Sequence, residues 1–423
     1  MDRGGRIPAR PPAGPRPGGH RRWPAGLAAF EYRDFRLLWS GALVSNVGTW
    51  LQTVAQGWLV LQLADSASIL GLVNAVSTLP VLVLALYGGV LADRLDRRRL
   101  LLAAQWAAML LALFTALLIA AHRITVPWLL ALALASGVVA ALSSPAWQAY
   151  VSDLVPQRKL FNAVALNSAQ FNVARVLGPA MAGTLIATAG IAGCYALNGL
   201  SFLAVIVALM RLRTPPRTRS ASTSSPWQDL TEGMRYAAGH AEARAVLLLG
   251  TTHTIFGMPF LMLLPVFART VYRGGAGDLG ILLSAMGVGA VGGAFTTTRW
   301  SGIGRKGPAI LGMEVAFGAA LVLFSHATSR LAALPALALV GFCMVSFFAV
   351  ANTTLQLLSG EEMRGRMMAL WTIASWGVAP VGSAWAGVFA ARFGAPAAVY
   401  TGAGACLLAT GAMALLSPLL RST

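Results

Sequence analysis

Residues 87–99 read YGGVLADRLDRRR and follow directly on a long apolar run. The stretch sets two carboxylates and four guanidinium groups beside a segment long enough to cross the roughly 30 Å hydrocarbon layer as a helix. Charged side chains are rare inside a bilayer and collect where a helix leaves it. The stretch therefore predicts a short turn between two membrane-spanning helices.

The rest of the chain repeats this apolar pattern. Of its 423 residues, 57% are hydrophobic and 11% are charged, and the mean hydropathy is +0.68. Backbone amides in lipid must find partners within their own segment, which favours helices. The apolar runs predict an all-α integral membrane protein of twelve transmembrane helices, arranged as two pseudo-symmetric six-helix bundles.

The predicted organisation has five parts. A Ser/Thr/Pro-rich segment separates the two halves, and Ser225 followed by Pro226 is a helix start signal within it. We expect a disordered basic cytoplasmic tail over 1–36, a six-helix bundle over 37–212, a linker with an interfacial helix over 213–245, a second six-helix bundle over 246–418 and a short tail over 419–423. At an offset of 204, Gly178, Gly183 and Gly190 fall on Gly382, Gly387 and Gly394, which suggests a duplicated half.

The basic residues predict the orientation. With twelve spans, 26 of the 32 Lys and Arg residues fall on the side of the termini and five on the other side. Positive residues accumulate on the cytoplasmic side of bacterial membrane proteins. Both termini are therefore expected in the cytoplasm, and the net charge of +18 needs no nucleic-acid partner.

The opening stretch also carries a resemblance. Read from Gly89 to Arg98 as G-x-x-x-D-R-x-x-R-R, it resembles the loop signature between spans 2 and 3 of the major facilitator superfamily, with Asp96 where that signature has a second glycine. The resemblance implies a cytoplasmic gate formed by Gly89, Asp93, Arg94, Arg97 and Arg98. Asp93 would face the start of span 11, after MRGRMMA at 363–369. The alternative is that these arginines only fix the topology.

A second motif lies in the fifth predicted span. NAVALNSAQFNVARVLGPAMAG (162–183) resembles the branch of the superfamily that contains the enterobactin exporter and related bacterial efflux proteins. The resemblance implies an exporter-like motif built from Arg175, Gly178, Pro179 and Gly183. Pro179 removes a backbone donor, while the glycines permit close helix approach. We expect Ala285, Gly289 and Gly293 of span 8 to form a matching ridge of small residues.

Ionisable residues inside spans are candidates for function. Arg175 could bind an anionic group of a substrate, transmit closure, or be satisfied by local carbonyls and water. Glu314 is expected to have a structural role at a depth different from that of Arg175. His253 could carry a coupling proton, because a free histidine titrates near neutrality, or it could be a packed polar residue.

Other polar and aromatic side chains complete the candidate cavity or coupling set, which comprises Asn46, Gln52, Gln56, His253, Asn352, Gln356 and Trp371. Several of these side chains could instead form hydrogen bonds between helices. Cys194, Cys343 and Cys406 are expected to be buried packing residues. The sequence has no nucleophile with a base and no metal-ligand spacing, so we expect neither an enzyme nor a cofactor or metal site.

These features predict a secondary active transporter in the bacterial plasma (inner) membrane. It would export a hydrophobic or amphipathic small molecule, a drug or a siderophore-like compound, by alternating access. The expected driver is the proton gradient, and the expected partners are the substrate, protons and the lipid bilayer, with the chain as a monomer. The alternative is a membrane receptor or regulatory protein that keeps the fold without net transport.

Overall fold

The computed structural model describes residues 24–213, 226–300, 306–360 and 363–416. Within these ranges, the side chains of residues 25, 85–86, 89–90, 92–93, 226–229 and 298–300 are not described. The described chain is helical. Its α-helices are α1 (Arg33–Ala64), α2 (Ala67–Arg94), α3 (Arg97–Ala120), α4 (Val126–Asp153), α5 (Leu160–Arg211), α6 (Pro226–Gly239), α7 (Ala241–Thr252), α8 (Phe260–Val266), α9 (Ala276–Trp300), α10 (Lys306–His326), α11 (Arg330–Leu358), α12 (Arg364–Thr372), α13 (Ala379–Phe393) and α14 (Ala395–Leu416).

Short π-helical turns join some of these helices. His253–Gly257 follows α7, Phe267–Val271 follows α8, and Ile373–Gly377 joins α12 to α13. A π-helical turn contains an extra residue and is frequent at functional sites. The chain over 241–271 and over 364–393 therefore forms two long helical segments with local irregularities.

Ten helical segments of the described chain are long and apolar enough to cross a membrane. The sequence predicts twelve, and two features account for the difference. Helix α1 is long enough, but Asn46, Gln52 and Gln56 make its middle polar, and it is not among the ten. Helix α5 is counted as one of the ten segments, although it contains two of the predicted spans.

Gly190 divides α5 into a first arm, which begins at Leu160, and a second arm, which ends at Arg211. Gly190 has a φ of 71° and interrupts the helical geometry between the fifth and sixth predicted spans. Gly394, at the offset of 204, has a φ of 88° between α13 and α14. Glycine adopts positive φ at little cost because it has no Cβ. Both glycines therefore adopt positive φ at positions that are 204 residues apart.

Polar contacts between helix ends define one face of the molecule, which we name the terminal face. Here Asp34, near the start of α1, accepts a hydrogen bond from the Arg213 backbone N–H at 2.9 Å. Arg98, at the start of α3, donates to the Met210 carbonyl at 2.8 Å. The first turn of α1, the start of α3 and the end of α5 therefore lie together on this face.

The opposite face joins the two halves. Arg269, in the π-helical turn after α8, lies 3.5 Å from Asp65 at the end of α1. A Cβ placed on Gly71 of α2 would lie 2.7 Å from the Gly387 Cα of α13. A Cβ placed on Gly183 of α5 would lie 2.6 Å from the Gly277 Cα of α9. The halves thus meet along α2–α13 and α5–α9, with backbone contact near the opposite face.

The N-terminal boundary differs from the prediction. The sequence predicts a disordered tail that includes residues 24–36, yet Ala25–Glu31 forms a 3₁₀ helix and α1 begins at Arg33. The Ala29 N–H donates to the Asn162 side chain at 2.7 Å, and Phe35 is buried. This contact with α5 and the apolar packing order the segment. The prediction for residues 1–23 lies outside the described residues.

Candidate functional site

Arg175 lies in the first arm of α5, about 22 Å from Leu160 at 1.5 Å per residue. Its Nε and Nη1 atoms are buried and have no hydrogen-bond partner among the residues that the structure describes. Its guanidinium carbon lies 5.4 Å from the ring centroid of Trp50 in α1 and 5.5 Å from that of Phe171. Aromatic faces attract such cations. The structure thus adds two aromatic neighbours that the sequence did not single out.

The remaining residues of this motif bring neighbouring helices close. A Cβ on Gly178 would lie 2.5 Å from the Trp50 Cβ and 2.8 Å from the Val47 carbonyl oxygen. Gly178 therefore lets α1 approach the side of α5 that carries Arg175. Pro179 lies within the helix and is buried, and its carbonyl oxygen would lie 2.7 Å from a Cβ on Gly280 of α9. The motif packs α5 against both α1 and α9.

The predicted ridge on span 8 packs elsewhere. A Cβ on Gly289 would overlap the Ala338 carbonyl of α11, and one on Gly293 would lie 2.5 Å from the Phe342 carbonyl oxygen. The expectation that Gly289 and Gly293 match the small residues of α5 is therefore wrong. Small residues occur on several sides of α9, and spacing alone does not show which side faces which helix.

A second interior site joins His253 and Glu314. The His253 Nδ1 atom lies 2.8 Å from the Glu314 Oε2 atom, and the exposed fractions of the two side chains are 0% and 1%. The His253 Nε2 atom is buried without a hydrogen-bond partner in the described chain. The sequence predicts no contact between these two residues. The signal that could have linked them is that both are ionisable residues inside spans of the same half.

Aromatic rings and cysteines enclose the pair. The His253 ring stacks on Phe347 at 4.8 Å and packs against Phe317 at 4.2 Å, measured between centroids. Cys406 of α14 donates to the Thr252 carbonyl, next to His253, at 3.9 Å. The sequence predicts buried cysteines, and Cys194, Cys343 and Cys406 are all buried and free.

Trp371 lies next to this cluster. Its ring meets Phe348 edge to face at 5.9 Å, and Phe348 in turn meets His253 at 5.1 Å. A Cβ on Gly250 of α7 would lie 2.7 Å from the Trp371 ring. Trp371 is buried against α7 and α11 and does not line an open cavity.

The polar candidates of α1 form bonds between helices. The Asn198 side-chain amide donates to Gln52 at 2.6 Å, and the Tyr195 hydroxyl donates to Gln56 at 3.5 Å. Both partners lie in the second arm of α5. This is the alternative that the sequence left open for such residues.

Three further cavity candidates remain accessible. The Gln356 side chain donates to Asn352 within α11, and this pair is exposed. Asn46 of α1 is half-buried and lies one helical turn before Trp50. All three side chains are more exposed than those of His253 and Glu314.

The gate candidates lie at the terminal face. Arg97 pairs with Asp153 of α4 at 2.8 Å, Arg98 caps the end of α5 through the Met210 carbonyl, and Arg94 is exposed. Arg97 and Arg98 thus bind partners within the first half. Gly89 and Asp93 lie in α2, but their side-chain surroundings are outside what the structure describes.

The described chain is a helical membrane fold whose interior holds Arg175 and the His253–Glu314 pair, and ionisable groups at such depth mark candidate functional sites. The sequence family described as "transmembrane secretion effector" matches residues 24–422. The chain belongs to this family of major facilitator transporters, and it is not an enzyme.

Curated relatives agree with this assignment. The chain is 28% identical to the enterobactin exporter EntS of Shigella boydii, over 90% of this chain and 91% of the relative. It is 25% identical to the multidrug efflux pump Tap of Mycolicibacterium fortuitum, over 91% and 96%. It is also 25% identical to the staphyloferrin A transporter of Staphylococcus aureus, over 60% of this chain and 64% of that protein.

Solved structures share the fold. A bacterial homologue of the human lysosomal transporter Spinster, in an inward-facing conformation, is 14% identical with a TM-score of 0.67, covering 92% of this chain and 95% of that one. A peptide transporter POT variant is 12% identical with a TM-score of 0.73, covering 92% and 95%. At these identities the likeness concerns the fold alone.

Proposed function

We propose that the chain crosses the membrane twelve times as two six-helix bundles, over 37–212 and 246–418. Counting α1 as a span and dividing α5 at Gly190 brings the ten apolar segments to twelve. The equivalent turns at Gly190 and Gly394 support a duplicated half. Parallel duplication is a known plan of transporters that move two bundles around a central site.

Both termini lie in the cytoplasm of a bacterial cell, and the protein is in its plasma membrane. The charge bias supports this orientation, because 26 of 32 Lys and Arg residues fall on the side of the termini. Arg98 and Arg213, which take part in contacts on the terminal face, are among them.

The protein exports a hydrophobic or amphipathic small molecule by alternating access. One observation carries this proposal: the halves meet along α2–α13 and α5–α9 through close glycine contacts near the opposite face, at Gly71–Gly387 and Gly183–Gly277. Such contacts seal one side of a central path and can separate as rigid bodies. The names of the siderophore and multidrug relatives support export as the direction.

Proton coupling is assigned to His253 and Glu314. The pair has a net charge of −1 when the imidazole is neutral and the carboxylate is ionised, and it becomes neutral after binding one proton. A net charge buried in an apolar surrounding is costly. Binding of one proton therefore stabilises the conformation in which the pair is enclosed. Release of the proton requires a conformation in which the pair is exposed to water. A site that couples proton movement to a conformational change needs both properties.

Transport by the purified protein in liposomes tests the proposal. Vesicles loaded with ethidium or with enterobactin receive an imposed pH difference, and we expect probe movement that stops when a protonophore dissipates the gradient. Probe flux that does not depend on the pH gradient would contradict proton coupling but would not contradict export. No flux of either probe, together with a change in Trp fluorescence on probe binding, would favour a receptor that has the transporter fold.

A further inference from the structure

Arg175 is a charge inside the membrane, and no acidic side chain among the described residues forms an ion pair with it. Among the residues that the structure describes, Glu314 has His253 as its partner, while two nitrogens of Arg175 are buried without a hydrogen-bond acceptor. Buried polar groups are nearly always satisfied, and an unsatisfied charged group is expensive. The two nitrogens therefore mark a place for an anion.

The aromatic neighbours indicate what kind of anion. Trp50 and Phe171 lie edge to face at 5.8 Å, and both rings lie within 5.5 Å of the guanidinium carbon. The planar guanidinium binds carboxylates and similar groups through two parallel hydrogen bonds. The rings offer apolar surface to the body of the same molecule.

The depth of the site indicates that its ligand is a transported molecule and not a lipid headgroup. Arg175 is about 22 Å along α5 from its start, near the middle of the membrane. Phospholipid headgroups lie at the membrane surface. An anion that reaches Arg175 must therefore enter the path between the two halves, as a transported molecule does.

We propose that Arg175, Trp50 and Phe171 form a substrate subsite for organic anions with an aromatic or apolar body, such as carboxylates. This inference rests on the proposed export function and gives it a substrate class. It predicts that the transporter prefers anionic compounds to the hydrophobic cations that many drug exporters accept.

A matched pair of dyes tests the subsite by binding alone. Fluorescein and rhodamine 123 share a xanthene body, but the first is anionic and the second cationic. Fluorescence anisotropy with the purified full-length protein should give a dissociation constant for fluorescein about tenfold or more below that for rhodamine 123. Removing one charge-assisted contact corresponds to about tenfold to a hundredfold in affinity, so Arg175→Gln should weaken fluorescein binding by that factor.

The variants separate charge from folding. Arg175→Lys keeps the charge and should bind fluorescein with intermediate affinity. Arg123→Gln removes an exposed arginine and should bind as the wild type does. Size-exclusion elution and circular dichroism, unchanged from the wild type, should accompany the loss in Arg175→Gln. An excess of phosphatidylglycerol should not displace the dye.

Three results would overturn the subsite: unchanged fluorescein affinity in Arg175→Gln, equal affinity of the wild type for both dyes, or displacement of fluorescein by phosphatidylglycerol. These results are distinct from failure of the export proposal. A wild-type protein that binds fluorescein through Arg175 but moves no probe across liposomes would refute export and leave the subsite standing.

Discussion

The His253 imidazole and the Glu314 carboxylate are joined by a 2.8 Å contact that links the end of α7 to α10 inside the second half of the protein. Neither side chain is accessible to solvent. The pair is therefore enclosed in the interior of the protein.

Glu314→Gln should uncouple transport from the pH gradient. Glutamine keeps an oxygen that can accept from His253 but cannot exchange a proton. Exchange of labelled for unlabelled probe across liposomes should continue, while accumulation driven by the pH difference should fall to the level seen in liposomes without a pH difference. Glu232→Gln, which removes an exposed acid that pairs with Arg366 at the surface, is the control and should retain both activities.

Arg175→Ala should impair transport more than Glu314→Gln. Loss of the substrate contact reduces exchange and driven transport together, whereas loss of the proton site reduces only the driven mode. Both modes are measured on the same liposome preparation. If Glu314→Gln proved the more damaging in exchange, the assignment of the two sites would have to be reversed.

Gly71→Val should hold the protein open on the face opposite the termini. A Cβ at this position would lie 2.6 Å from the Ser383 carbonyl oxygen and 2.7 Å from the Gly387 Cα, and backbone cannot move aside as a side chain can. Labelling of a Ser68→Cys reporter by an impermeant maleimide should increase several-fold. The native cysteines are buried and give little background.

Gly404→Val is the matched control for that experiment, because nothing lies within 4 Å of a Cβ built on Gly404. It should leave labelling of the reporter unchanged. Equal labelling in Gly71→Val and its parent would show that the contact between α2 and α13 does not close this face.

Asp93→Asn should reduce export without lowering the amount of protein in the membrane. The resemblance of this loop to the superfamily signature implies that the carboxylate takes part in a gate between the halves and would face the start of span 11. Efflux rate and membrane abundance are measured on the same cells. An efflux rate equal to that of the wild type would leave topology as the function of the loop.

Arg97→Gln should instead affect stability. The side chains of Arg97 and Asp153 are 8% and 15% exposed, and removal of one partner leaves a largely buried charge, at a cost of about 3 kcal/mol. We expect a lower Tm by Trp fluorescence, partial recovery in Arg97→Lys, and no change in the exposed Arg123→Gln. A wild-type Tm in Arg97→Gln would show that the pair contributes little.

Sequence patterns predicted the class of protein well because a membrane imposes length and polarity on every span. The positive φ at Gly190 and the burial of the three cysteines follow from local chemistry. Contacts between distant helices do not. His253 and Glu314 are 61 residues apart, and no local pattern shows that their helices are neighbours. The spacing of Gly289 and Gly293 likewise indicated close packing but not the helix that they face.

The π-helical turn that begins at His253 has a mechanical consequence. Its Met258 N–H donates to the His253 carbonyl at 2.8 Å, five residues back, so this turn holds one residue more than an α-helical turn. Returning that residue to α-helical geometry would rotate the rest of the segment by about 100°. Protonation of the His253 imidazole would thus be coupled to rotation of the helical segment that follows it. This rotation requires no change in the length of the loops at the ends of the segment.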